Sequence, residues 1–160
     1  MASKYLVVYL NDHLSAATGA VELAKRMAKQ YDGTDVGRLA GALRPELEAD
    51  RDALLDVMRT VGARVDRAKV AAGWAAEKAG RLKLNGQLRG SSPLSPLVEL
   101  EGLLLILDGN RRLWEALEQA PEVAGRIGAE RLRELRARSE RQIADAEHAR
   151  HGILPRALTG

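Results

Sequence analysis

Asp50 is the side chain that most needs a chemical explanation. Val36, Ala40, Leu43, Leu47, Leu54, Val57 and Val61 recur at helical spacing around it, so the stripe turns Asp50 toward an apolar neighbour. A carboxylate driven into such a stripe must be paired, protonated or bound to a cation, because burying it alone costs several kcal/mol. Glu46 lies one turn earlier, and His13 falls at the boundary of a preceding apolar face made by Val7, Leu10, Leu14, Ala17, Val21, Ala24, Ala28 and Tyr31. Two explanations compete. In the structural one, Asp50 pairs with Arg111, which interrupts the apolar stripe of a later segment; two opposite charges that each break an apolar face account for each other economically. In the chemical one, His13, Glu46 and Asp50 line a polar pocket for a metal or an acid/base step.

Other titratable groups give weaker patterns. Asp145, His148 and His151 share one helix end, where histidines complement the negative pole and His148 turns to solvent. Glu99 and Glu101 fall in the first turns of an apolar helix, as dipole partners do. The chain has no Cys, which excludes disulfides, thiolate metal sites and a cysteine nucleophile. It also lacks GxGxxG, Walker, HExxH and GxSxG patterns, so nucleotide, zinc-protease and serine-hydrolase chemistry have no support.

Helices must position these groups. The first segment runs from about Ser3 to Tyr31 and stops at Asp32 and Gly33; Thr34 or Asp35 caps a second that continues to Val61 and ends at Gly62. So short a turn forces an antiparallel hairpin, and Pro45 predicts a kink near residues 42–44. A third segment, about Arg64 to Leu84, carries a thin stripe of small residues suited to a cover helix. Residues 85–95 read as the longest loop, and Ser95 followed by Pro96 as a helix start. The fourth segment is apolar around so much of its circumference that it is expected at the centre of the core. The fifth, about Ala129 to His151, has a thin stripe of Leu132, Leu135, Ile143 and Ala146 interrupted by Ser139, as an edge helix or one completed by another subunit would. Gly37 to Gly41 spells GxxxG, which here means only close approach of helices.

One domain over residues 1–151 with a flexible tail at 152–160 fits the length, and 46% apolar residues supply a core. With 3% aromatics and no Phe, that core must be built of Leu, Ala and Val, which favours an all-α fold over a sheet. No signal peptide is evident, and the longest unbroken apolar run, Leu103 to Leu107, falls far short of the roughly 20 residues that cross a bilayer. A soluble, cytoplasmic protein without a membrane partner is expected. Net charge is only +3, but Arg64, Arg67, Lys69, Lys78, Arg81, Lys83 and Arg89 face few acids and form the candidate anion-binding stretch. Trp74 is the only aromatic among them, so nucleic acid is the less favoured partner.

Two helical hairpins separated by a crossover of about thirty residues resemble the ferritin-like four-helix bundle, with the basic third segment as an additional helix in the crossover. The phrases Tyr9 to Leu14, Glu48 to Arg51 and Glu99 to Leu104 are also similar to those of small bacterial helical proteins, a likeness that assigns no activity. The ferritin-like resemblance implies inward carboxylates and histidines holding iron or manganese, for which His13, Glu46, Asp50 and Glu101 are the candidates. The family's Glu-x-x-His pair does not occur; Asp145-x-x-His148 comes nearest and faces the wrong way. The expectation is therefore a non-enzymatic bundle without a cofactor, acting through a protein partner or a homo-oligomer, with the fifth helix as the candidate surface. A degenerate metal protein is the alternative, and anion or nucleic-acid binding through residues 64–89 a second alternative.

Overall fold

The computed structural model describes residues 2–71 and 92–159, and among these every regular element is a helix. Four are long: α1 (Lys4–Gln30), α2 (Asp35–Val61), α3 (Ser95–Glu118) and α5 (Ala129–Thr159); α4 (Pro121–Ile127) is short. None is both long and apolar enough to cross a membrane among the described residues.

Local chemistry sets the boundaries. Ser3 caps α1 by accepting from the Leu6 N–H, and Thr34 caps α2 by accepting from the Gly37 N–H. Gly62 ends α2 in the left-handed region at φ 74°, which costs glycine no Cβ clash. Gly37 is needed for another reason: a Cβ there would stand 2.1 Å from the Tyr31 carbonyl oxygen, so the α1–α2 turn closes tightly only on a bare backbone. The GxxxG spacing thus serves mainly the turn, although Gly41 does face the Ala28 side chain of α1 across 4.0 Å.

Several boundaries differ from expectation. Leu94, not Ser95, takes the N-cap position of α3, and Ser95 is buried as its first residue. The break expected after Gln119 holds α4, whose Arg126 donates to the carbonyls of Thr60 and of Val61, the latter at 3.1 Å, and so satisfies the end of α2. Pro45 lies inside α2, as the sequence implies. α5 continues through Pro155 to Thr159, so the region expected to be a flexible tail is helical up to that residue. The expected third segment is described only as far as residue 71, helical from 67; the rest of it, with most of the expected loop at 85–95, lies outside the described residues.

Ion pairs show how the helices run. Arg26 near the end of α1 meets Glu99 near the start of α3 at 2.6 Å. Arg136 and Arg150 of α5 meet Glu118 and Glu101 of α3, each at 2.9 Å, and Arg131 of α5 meets Asp56 of α2 at 3.2 Å. With the α1–α2 hairpin, each packed pair among the long helices, α1 with α2, α1 with α3, α2 with α5 and α3 with α5, is antiparallel. α2 therefore ends at the opposite end of the molecule from the start of α3.

The core divides into two apolar clusters. One takes Ala20 to Tyr31 of α1, Val36 to Leu47 of α2, Leu100 to Leu107 of α3 and Ala146 of α5. The other takes Leu10 and Leu14, Leu54 to Val61, Leu113 to Leu117, and Leu132 with Leu135. Between them lie Ala17 of α1, Asp50 of α2, Asn110 of α3, and Ser139 with Gln142 of α5, all buried and in neither cluster.

α3 is buried as its apolar content requires, with Leu100, Leu103, Leu107 and Leu113 fully covered, yet its Leu105 is 77% exposed. α5 buries its thin stripe against α2 and α3 and little else, as the sequence implies, and its Leu158 is 67% exposed.

Candidate functional site

The polar layer at mid-height is where the sequence places charge in the core. Helical phase forces Asp50 inward: it follows Leu43 and Leu47 and precedes Leu54 at spacings of three and four residues, so its side chain points where theirs do. Its side chain is 1% exposed and needs partners from another helix. α5 supplies them. Arg138 donates from Nε to Asp50 Oδ1 at 2.7 Å, with a second guanidinium nitrogen also on Oδ1. Gln142, one turn on, donates from Nε2 to Asp50 Oδ2 at 2.8 Å and to Glu46 at 3.2 Å. One amide thus ties the buried Asp50 to the exposed Glu46 one turn earlier on α2.

The electrostatics are a contest that burial wins. Desolvation raises the Asp50 carboxyl above its ordinary value; the hydrogen bond from Gln142 and the charge and hydrogen bonds of Arg138 pull it down, and Glu46 adds a smaller upward push. Ser139, fully buried, donates to the Leu135 carbonyl of its own helix and so brings no unpaired donor into the layer.

Arg111 is not the partner of Asp50, a correction to the sequence reading. It points along its own helix and pairs with Asp108 at 2.9 Å and Glu115 at 3.2 Å, the i, i+3 and i, i+4 positions. Its interruption of the α3 stripe is resolved by a long side chain that reaches back to the surface.

The candidate metal set is likewise not brought together. His13 meets the Tyr9 ring edge-on, centroids 4.6 Å apart; burial lowers its pKa, with Asp12 opposing. Glu101 is engaged by Arg150 on the outer α3–α5 seam. Glu46 and Asp50 share Gln142, and among the described residues no three His, Asp or Glu side chains are grouped to hold a metal ion. Of the candidate anion-binding residues, Arg64 and Arg67 are exposed and Lys69 pairs with Asp12 at 2.5 Å; Lys78, Arg81, Lys83 and Arg89 lie outside the described residues.

Sequence reading missed Arg138, Gln142, Asn110 and Asn11. Arg138 and Gln142 sit at i, i+4 around Ser139, which was noticed only as an interruption; three polar residues in succession on a stripe were the available signal. Asn11 has none, because a single Asn in an amphipathic helix is ordinary. In the structure it is buried, donates to the Val7 carbonyl at 2.8 Å and the Arg64 carbonyl at 2.9 Å, and accepts from the Asp66 N–H at 2.7 Å. It clasps the chain leaving α2 onto α1, beside the bond from Ser15 to the Lys69 carbonyl at 3.1 Å.

The chain matches no family model, no curated protein and no solved structure. What the geometry provides is a buried carboxylate held by a guanidinium and an amide, an arrangement that cancels charge and fixes helix register.

Proposed function

We propose that the protein is a non-enzymatic helical bundle of ferritin-like layout that works by self-association. Two antiparallel hairpins, α1–α2 and α3–α5, with α2 ending opposite the start of α3, support the layout. The closed Asp50–Arg138–Gln142 network supports a structural use of the inward charge.

The observation that carries self-association is the outer face of α3. Leu94, Val98, Gly102, Leu105 and Gly109 follow one another at helical spacing, with Leu94 43% and Leu105 77% exposed. A Cβ added at Gly102 or Gly109 would meet nothing within 4 Å, so each side of the Leu105 knob is an open hole. Beside it runs a shallow, mainly apolar groove of about 420 Å³, lined by Ala16, Gly19 and Leu23 of α1 and Ile106 of α3.

A second copy fits this face best. Antiparallel pairing of two α3 helices about a two-fold axis level with Leu107 sets Leu105 of each copy against the partner's Gly109, and it brings Arg112 of one copy within a turn of Glu101 of the other. The stripe is about 22 Å long at 1.5 Å per residue, enough for a two-fold helix pair. Sedimentation velocity tests the reading. The full chain is expected to sediment as a dimer and Leu105→Glu as a monomer with unchanged helical circular dichroism; a wild-type chain that stays monomeric at the highest concentration reached refutes it.

A further inference from the structure

The polar layer contains more hydrogen-bonding capacity than its side chains use. Of the four buried side-chain atoms without a hydrogen-bond partner among the described residues, Glu99 Oε2 lies near the start of α3, and three lie in or beside the layer: Asn110 Nδ2, Trp114 Nε1 and Gln142 Oε1. All three side chains are almost wholly buried, at 2%, 1% and 1% exposure. Two are donors and one is an acceptor. Asn110 and Trp114 are four residues apart on α3 and so lie on one face, a turn from each other. The Glu101–Arg150 and Glu118–Arg136 pairs fix the α3–α5 register on either side, and interpolation between them sets Asn110 level with Gln142.

The orientation of Gln142 is determined by its neighbours. Its Nε2 must face the carboxylates of Asp50 and Glu46, because a flipped amide would set its oxygen against two negative charges. Its oxygen is then left as an acceptor on the side of the amide away from those carboxylates. No residue of α5 can turn to serve it, since Ser139 is committed to Leu135 and Arg138 to Asp50, and Asn110 Nδ2 on α3 makes no direct bond to it.

We infer that a single buried water occupies the α3–α5 side of the polar layer, accepting from Asn110 and Trp114 and donating to Gln142. Water suits the site chemically, since it accepts two hydrogen bonds and donates one here while keeping a second hydrogen for a nearby carbonyl. Buried waters usually make about three such bonds to groups that would otherwise go unsatisfied. Through Gln142 this water joins α3 to the Asp50–Arg138 network, so the layer links three helices. An apolar or cationic guest fits less well: the first satisfies none of the three atoms, and the second is repelled by the two donors.

Water-selective NOE and ROE spectra of the isotope-labelled full chain test this. The expected result is a cross-peak from water to the Trp114 indole N–H and to the Asn110 side-chain amide, with the opposite NOE and ROE signs of a water that tumbles with the protein. Trp114→Phe assigns the indole signal against Trp74. Absence of the cross-peaks from the wild-type protein overturns the inference. In Asn110→Leu the indole cross-peak is expected to be lost; if it persists unchanged, Asn110 is not a ligand of the water and the inference fails in this form.

Discussion

Removing the Arg138 guanidinium should be among the most damaging single changes to the layer. Arg138→Met keeps much of the aliphatic stem but leaves Asp50, with its side chain 1% exposed, holding only the Gln142 amide. Breaking a buried pair from one side costs about 3 to 5 kcal/mol, because the surviving charge stays desolvated. Arg138 is itself 26% exposed, so water reaches part of the site, and a loss near the lower end, about 3 kcal/mol, is expected. In a chain of this size that lowers the melting temperature by roughly 6 to 12 °C. Asp50→Asn should cost less, since an unpaired Arg138 can turn to solvent, and the double variant should fall well short of the sum of the two. Arg111→Met is the control: its partners Asp108 and Glu115 lie along the same exposed helix face, and its loss should cost no more than about 1 kcal/mol. Urea unfolding of the wild type and the four variants measures all of this. Additive losses at Asp50 and Arg138, or a loss at Arg111 equal to that at Arg138, would refute the assignment of the pair.

Three further outcomes follow from the same coordinates. Because burial raises the Asp50 carboxyl above 3.8, the folded chain holds that proton more tightly than the unfolded one; the residue's contribution is fully present below pH 3.8 and lost as pH rises through the raised value. The stability difference between wild type and Asp50→Asn should therefore move in favour of wild type on acidification from neutrality, and movement the other way in paired urea titrations would mean that Arg138 and Gln142 outweigh desolvation. Gly37→Ala should destabilise by about 3 kcal/mol or more, since its Cβ would sit 2.1 Å from the Tyr31 oxygen, whereas Gly102→Ala, with open space around it, should raise monomer stability by about 0.5 to 1 kcal/mol and weaken the dimer. Asn11→Leu removes three hydrogen bonds and should cost about 2 to 3 kcal/mol, with faster hydrogen exchange at the Asp66 amide; unchanged exchange there would show that the clasp does not hold residues 64–66.

Helices and their inward faces were legible in the sequence because periodicity, Thr34 and the glycines at 33 and 62 are local signals, each acting within a turn of its own position. The same locality identified Asp50 as a charge in the core. It could not identify the partner. Arg111 and Arg138 both lie on helices that pack in the interior, and which of them meets Asp50 depends on the order of helices around the core and the antiparallel register of α2 with α5, quantities no single segment encodes. The exposure of Leu105 was hidden for the same reason: apolar content says how much surface a helix offers, and its neighbours decide how much is covered. Asn110 and Gln142 are ordinary polar residues when read along the chain. They become a layer only when three helices align their interruptions at one height, and that alignment is made by tertiary packing alone.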